Sequence, residues 1–266
     1  MVITRLISGL GNQLFQYAIG RKISRHLNVP LKFDISWYQG LNNRDYNLYH
    51  FNIDADIATP EEIEHAKSHF YYREKSFQYD PRYLAVPSTV YLEGYWQSEL
   101  YFKDIAGQIR QELRLKTLPS VKNIVMAKAI QSCQSVSLHI RRGDYLLEPA
   151  LHNCLLDYYD RAIGWISGQI NDPHFFVFSD DGHWAQANLK PDFPMTFVLH
   201  NDEKHCYEDL RLIRFCKHHI TANSTFSWWG AWLSQSPHKL VCAPQRWFNP
   251  GFHEEEAIVP HDWIKL

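Results

Sequence analysis

The residues of this 266-residue chain best equipped for chemistry are two adjacent arginines, Arg141 and Arg142, followed by Gly143 and Asp144. They end the run from Ser135 to Ile140, which reads as a buried strand. A strand end has no use for two guanidinium groups unless an anion sits there, because charges are rarely buried without partners. Each guanidinium is a planar fork of donors that suits a phosphate held bidentately, and Gly143 lets the backbone turn sharply off the strand. The pattern points to a diphosphate site at the carboxyl edge of a sheet, where open α/β folds hold their ligands. The plainer alternative is a solvated turn in which Asp144 pairs with Arg142.

Three other segments bear on the same chemistry. Ile3 to Ile7 reads as a strand leading through Ser8-Gly9-Leu10-Gly11-Asn12-Gln13 into a helix from Leu14 to Leu27. That arrangement aims backbone N–H groups at an anion. It is not the dinucleotide fingerprint, since Leu14 stands where a third glycine belongs, and a turn needing glycine for steric reasons alone explains it equally well. Phe175 to Phe178 ends in Ser179-Asp180-Asp181. A carboxylate there could accept from N1–H and N2–H₂ of guanine, with Asp181 the preferred candidate, or it could cap a helix starting near His183. His218 to Ala222 runs into Asn223, Ser224, Thr225 and Ser227, which are ordinary caps and also potential phosphate ligands. His139 alternates with Leu138 and Ile140 and so faces the opposite side of the strand, as a core histidine or a ligand contact.

These segments resemble the bacterial α1,2-fucosyltransferases, glycosyltransferase family eleven. The likeness is carried by the run Gly9 to Ala18, by Gly94-Tyr95-Trp96-Gln97-Ser98-Glu99 with Tyr101-Phe102, by His139 to Tyr145, by Phe178-Ser179-Asp180-Asp181, and by Asn223 to Trp232. It spans most of the chain in the family's order. It implies a GT-B-like α/β fold of two Rossmann-type domains facing a central cleft, and inverting transfer of L-fucose from GDP-fucose to a sugar hydroxyl, usually the 2-OH of a galactose. By the same resemblance Arg141 holds the β-phosphate and Arg142 is structural, braced by Asp144 or other acids. GDP-fucose contacts are expected from Gly11, His139, Arg141, Arg142, Asp144, Asp180, Asp181, Asn223, Ser224, Thr225 and Ser227. Asn12 is expected to approach the sugar-phosphate by hydrogen bonding, from the other domain. Acceptor contacts are expected from Asp34, Trp37, Tyr38, Trp96 and Gln97.

Donors already aimed at the leaving oxygen stabilise a transition state in which charge grows there. No persuasive Asp-x-Asp stands at a strand end: Asp54-Ala55-Asp56 lies in a polar connector. The arginines therefore replace a metal's charge, and neither metal nor cofactor is expected. No carboxylate or histidine announces itself as a catalytic base. The remaining alternatives are a fucosyltransferase of another linkage and a non-catalytic nucleotide- or glycan-binding protein. The absent third glycine and the arginine pair disfavour a nicotinamide oxidoreductase.

Composition sets the outer limits. The formal charge is −2, with 27 basic and 29 acidic residues, and no lysine cluster appears, so nucleic acid is not an expected partner. Nine Trp, fifteen Tyr and fifteen Phe supply both core and flat faces for sugars. Five cysteines at scattered spacings fit a reducing compartment with unlinked thiols. Neither a signal peptide nor an apolar run of roughly 20 residues appears. The expected location is cytoplasmic, peripheral on the inner membrane where the acceptor is lipid-linked.

The elements that must position these residues alternate. Leu31–Ile35 reads as a strand and Asn42 to Asn47 as a loop. Thr59-Pro60-Glu61-Glu62 begins a helix, Val90–Trp96 is a strand, and Glu99–Arg114 a helix. Thr117-Leu118-Pro119-Ser120 breaks the pattern, giving an acceptor-side domain of residues 1–118 and a GDP-fucose-binding domain of 119–266. In the second, strands at 135–140, 174–179, 196–199, 219–222 and 240–243 alternate with helices at 155–170, 206–216 and 226–233, which predicts a parallel, doubly wound sheet. Glu254-Glu255-Glu256 reads as a surface turn.

Overall fold

A computed structural model of the chain describes residues 1–40, 44–151, 154–189, 192–251 and 257–266. The expected loop at Asn42-Asn43 and turn at Glu254-Glu255-Glu256 lie outside these residues. The chain divides into two α/β units, Met1–Thr117 and one beginning at Leu118; residues 257–260 group with the first and 261–266 with the second. The sequence boundary of 1–118 and 119–266 assigns 257–260 to the second unit, because nothing local in that segment signals a crossing back.

The first unit contains β1 (Val2–Arg5), α1 (Leu10–Leu27), β2 (Leu31–Asp34), β3 (Asp56–Ile57), α2 (Pro60–His69), β4 (Tyr71–Arg73), β5 (Val90–Glu93) and α3 (Ala106–Glu112). Its sheet has the order β3-β2-β1-β5-β4, and every pairing is parallel. Helix α2 starts on the capping box read from the sequence: Thr59 accepts from the Glu62 backbone, and Glu62 accepts from that of Thr59. The expected helix at Glu99–Arg114 is interrupted. Two 3-10 turns precede α3, and the side chain of Ser98 caps the first of them by accepting from the Leu100 N–H.

The second unit contains α4 (Val121–Gln131), β6 (Gln134–Ile140), α5 (Leu156–Ser167), β7 (Pro173–Ser179), α6 (Gly182–Asn188), β8 (Met195–Phe197), α7 (Cys206–Phe215), β9 (His218–Ile220), α8 (Thr225–Leu233), β10 (Val241–Ala243) and β11 (Ile264–Lys265). The order is β11-β10-β9-β6-β7-β8, again parallel throughout. Period-two alternation splits its core into two layers. Val136, Leu138, Ile140, Phe175 and Val177 pack with Tyr159, Ile163 and Ile166 of α5. Phe176 and Phe178 pack with Ile130 of α4 and Leu212 and Ile213 of α7. In α8, Trp228 and Trp229 are fully buried, and the Trp228 ring stacks on Trp232 with centroids 6.0 Å apart. The aromatic-rich end of the family-like motif is therefore core. The five cysteines are free thiols.

In the first unit, α1 is tied to α3 by polar contacts. The Tyr17 hydroxyl donates to Glu112, whose carboxylate also lies 3.2 Å from Arg21 Nε, with the two charged side chains only 13% and 18% exposed. Removing one partner of such a pair leaves the other charge desolvated. We expect Glu112→Ala to destabilise the protein by about 3 kcal/mol, at the low end for a buried pair because some solvent remains. Chemical denaturation measures this, and an unchanged midpoint and slope would show that solvent already screens the pair.

Candidate active site

The strand end that carries the arginines is organised by one carboxylate. Ile140 of β6 is in register with Ser179 of β7, so the residues that follow each strand lie side by side. Asp180 accepts from the Arg142 backbone N–H at 2.9 Å and pairs with Arg141 Nη1 at 3.3 Å. A Cβ on Gly143 would stand 2.7 Å from Asp180 Oδ2 and would push that carboxylate aside. Arg141 Nη2 donates to Asp144 at 2.6 Å, and its guanidinium lies over the Tyr145 ring, 5.3 Å from the centroid.

Arg142 has a different environment. Its guanidinium stacks on Trp184, 3.9 Å from the ring centroid, and Nε lies 3.5 Å from Asp181. The turn alternative read from the sequence pairs Asp144 with Arg142; the structure pairs Asp144 with Arg141 instead, because Arg142 points toward the start of α6. Asp181 accepts from the Trp184 N–H at 3.0 Å as the N-cap of α6. Its expected contact with guanine therefore competes with a cap and an ion pair already in place.

The same edge receives the end of β9, which neighbours β6. The Tyr145 hydroxyl donates to Asn223 O at 3.3 Å. Burial pushes its phenol up to about 12, so it is a neutral donor. Asn223 is buried and donates to Trp247 O at 2.9 Å. Ser227 is buried and donates to Ser224 O at 3.1 Å. Ser224 is the N-cap residue of α8. These three shape the turn, and Thr225 is the half-exposed hydroxyl in the first turn of α8. Since β7 lies on one side of β6 and β9 on the other, Arg141 and Thr225 flank the point where the strand order reverses, the place where doubly wound sheets hold ligands.

His139 is buried and faces Phe226, with centroids 5.6 Å apart. Burial, with a smaller contribution from Arg141, lowers its pKa to about 3. Among the described residues its Nδ1 has no hydrogen-bond partner, an exception among buried polar atoms; Arg142 Nε also lacks a hydrogen bond but lies within ion-pair distance of Asp181.

The first unit repeats the logic. Its strand order reverses between β1 and β5. Asn12, after β1, donates to Ser8 Oγ at 2.9 Å and accepts from Gln97 Nε2, after β5, at 3.0 Å. Two non-glycine residues with left-handed backbone flank this bond, Ser8 (φ 67°) and Trp96 (φ 55°), conformations that cost energy and cluster at functional sites. The sequence reading gives the turn to the glycines, but Gly9 has φ −74° as N-cap. Ser8 takes the strained position instead, its carbonyl accepting from Gln13 and Tyr38 at 3.1 and 2.9 Å. Helix α1 begins at Leu10, so Gly11 and Asn12 lie in its first turn and Asn12 is not its cap.

The expected acceptor residues separate. Asp34 is buried, accepting from the Tyr91 hydroxyl at 2.6 Å and the Ser36 N–H at 2.9 Å. Burial alone would raise its pKa, but those bonds outweigh it and lower it. Its carboxylate joins β2 to β5, which removes it as an acceptor contact. Trp96 is 1% exposed and packs between Tyr72 and Tyr101, so it offers no free face. Gln97 is buried beside Asn12, Tyr38 is engaged with Ser8, and Trp37 is half-buried against Tyr38. Tyr145 and Trp184 are the site residues that sequence reasoning missed. Tyr145 directly follows the arginine motif, whereas nothing local marks Trp184.

The His139 shift has a consequence for stability. The unfolded histidine takes a proton near 6.5 and the folded one only near 3, so its contribution is full above about pH 6.5 and is lost as pH falls toward 3. We expect His139→Gln to flatten the acid limb of the stability curve by up to about 1.4 kcal/mol per pH unit in that window. Superimposable curves for the two proteins would show that His139 is not held neutral.

The profile described as Glycosyl transferase family 11 matches residues 4–266. An Escherichia coli protein named Alpha-1,2-colitosyltransferase is 31% identical over 287 residues, covering 100% of this chain and 99% of its own. The E. coli O-antigen biosynthesis glycosyltransferase WbnK is 31% identical over 304 residues, covering 98% and 99%. Mouse galactoside alpha-(1,2)-fucosyltransferase 1 is 27% identical over 191 residues, 66% of this chain and 50% of that protein. In fold, the crystal structure of POFUT1 in complex with GDP has a TM-score of 0.54 at 13% identity, covering 91% of this chain and 97% of that one. NodZ alpha-1,6-fucosyltransferase soaked with GDP-fucose has a TM-score of 0.50 at 14% identity, covering 87% and 91%. The fold is that of the GT-B fucosyltransferases, and the chain belongs to glycosyltransferase family 11.

Proposed function

We propose that this glycosyltransferase moves L-fucose from GDP-fucose to the 2-hydroxyl of a terminal galactose in a glycan, with inversion and without a metal. The observation that carries the reading is the Arg141 guanidinium, fixed by Asp144 and Asp180 at the point where the second sheet reverses its strand order. As the bond from the sugar to the diphosphate stretches, negative charge collects on the β-phosphate. A guanidinium already oriented there stabilises that charge without reorganising. Arg141 retains N–H bonds beyond those facing the two carboxylates, so it can meet a phosphate while still braced. Thr225 and the first turn of α8 supply further donors. Asn12, fixed by Ser8 and Gln97, is retained in the proposal as a hydrogen-bond donor during transfer, and guanine is assigned to the acids after β7. A second reading follows from the E. coli relative's name: the transferred sugar is colitose, with the same leaving group.

An acceptor screen with GDP-fucose, followed by linkage analysis of the product, tests the reading. It predicts a fucosylated galactoside linked at O2; another linkage, or no product with any galactoside, counts against it. Arg141→Ala should lower kcat by ~10²–10³, the usual effect of losing one transition-state donor, and Arg141→Lys should recover little because the fork is lost. A folded Arg141→Ala enzyme turning over near the wild-type rate would refute the assignment. Turnover should persist in excess EDTA, because Arg141 supplies the positive charge. Loss on chelation with recovery on adding Mg²⁺ or Mn²⁺ would contradict this.

A further inference from the structure

The carboxyl ends of β4 and β5 enclose a cavity of about 400 Å³ within the first unit, inside the range of roughly 300–1,000 Å³ usual for small-ligand pockets. Its lining includes Tyr72, Glu74, Tyr79, Asp80, Trp96 and Tyr101. The aromatic layer is continuous: Tyr79 meets Tyr101 at 5.0 Å between centroids, Tyr101 meets Trp96 at 5.6 Å, and Trp96 meets Tyr72 at 5.4 Å; Trp96 and Tyr101 are buried behind it, which leaves the half-buried Tyr72 and Tyr79 as the faces toward the cavity. Glu74 stands at the end of β4 and receives the backbone N–H groups of Tyr95 and Trp96 at 2.6 and 3.0 Å. A Cβ on Gly94 would lie 2.4 Å from Glu74 Cβ, so the turn after β5 is folded onto this carboxylate. Through Trp96 and Gln97 the same turn reaches Asn12.

The charges at the rim indicate what the cavity is built to hold. Arg82 is engaged with Asp80 at 2.9 and 3.1 Å, and Arg73 lies 3.6 Å from Glu93. Each guanidinium is paired with a carboxylate, and Lys75 is a further cation in the lining, so the rim carries both signs of charge. Glu74 pairs with no cation among the described residues. Burial pushes its carboxyl up to about 7 against the opposing effect of the two backbone bonds, so near neutrality it both donates and accepts. Aromatic faces beside an uncompensated carboxyl suit a neutral ligand with hydroxyl groups and apolar C–H faces. Adjacent parallel strands lie about 4.8 Å apart. The ends of β1 and β4, two strands apart, are therefore spaced to suit a ligand longer than one sugar ring.

We infer that this cavity is a saccharide subsite for the acceptor glycan, in which the half-buried Tyr79 ring, backed by the buried Tyr101, faces the sugar and Glu74 bonds its hydroxyls. The inference rests on the glycosyltransferase reading and moves acceptor recognition from Asp34 and Trp37 to the far side of the sheet. No donor is needed to test it. The full-length protein is titrated with β-galactosyl-1,4-N-acetylglucosamine, followed by saturation-transfer NMR, and with GDP in a separate cell. Tyr79→Ala and Glu74→Gln are treated identically, with melting temperatures recorded. The expected result is saccharide binding weakened about tenfold or more in both variants, as for a lost bond to a charged group, with GDP affinity unchanged. Should Glu74→Gln fail to fold because its amide opposes a backbone N–H, Tyr79→Ala decides. Saccharide binding equal in wild type and folded Tyr79→Ala, or no binding by wild type, overturns the inference. Absence of GDP binding with saccharide binding intact would instead remove the transferase reading and leave the subsite standing.

Discussion

The contact between Asp180 and the arginine segment is the constraint on which the rest of the second unit depends. Two adjacent guanidinium groups at a strand end repel each other and cannot be left desolvated. Asp180 resolves this by binding the Arg142 backbone and the Arg141 side chain together. In that geometry a Cβ at Gly143 would displace the Asp180 carboxylate, and β7 must end beside β6, which the parallel register ensures. It also separates the two arginines, with Arg141 toward Asp144 and Tyr145, and Arg142 flat on Trp184. The pair thus resolves into one group braced by two carboxylates and one packed against the start of α6.

The first unit meets an equivalent requirement with neutral groups. Its reversal point is held by amides and backbone, through Asn12, Gln13, Gln16 and Gln97. Local strain is concentrated in Ser8 and Trp96. Such strain persists only where surroundings over-determine it, and here buried Gln13 and Gln16, each bonded to the backbone through both its amide oxygen and its amide nitrogen, provide that. The charges at this edge are paired or hydrogen-bonded within it, Arg5 with Glu93 at 2.9 Å and Asp34 with the Tyr91 hydroxyl at 2.6 Å.

Alternation of apolar strands and helices made the parallel sheets readable from sequence: β6 and β7 are nearly continuous buried runs, α5 and α7 bury an apolar stripe, and α8 is buried on all sides after its first two residues. Short edge strands escaped: β3 and β11 have two residues each, too few for a period. Helix α4 escaped because Val121, Ile124 and Val125 face outward while Asn123 is buried, the reverse of the usual pattern. At the site, the arginine motif was legible because charge at a strand end is anomalous in any fold. The acceptor assignments were not, because Asp34 and Trp96 differ from surface residues only through partners distant in sequence, Tyr91 and Tyr101. Glu74 was invisible for the same reason: its partners lie 21 and 22 residues away.

The central claim is that Arg141 recognises the terminal phosphate of a guanosine diphosphate. Calorimetric titration of GDP and GMP into wild type and Arg141→Lys tests it most directly, since the two nucleotides differ only in that phosphate. The account predicts that wild type prefers GDP to GMP by about tenfold or more, as one charge-assisted bond would give. It also predicts that Arg141→Lys loses most of this preference while binding GMP as wild type does. An unchanged ratio in the variant, or equal affinity of wild type for both nucleotides, would contradict it.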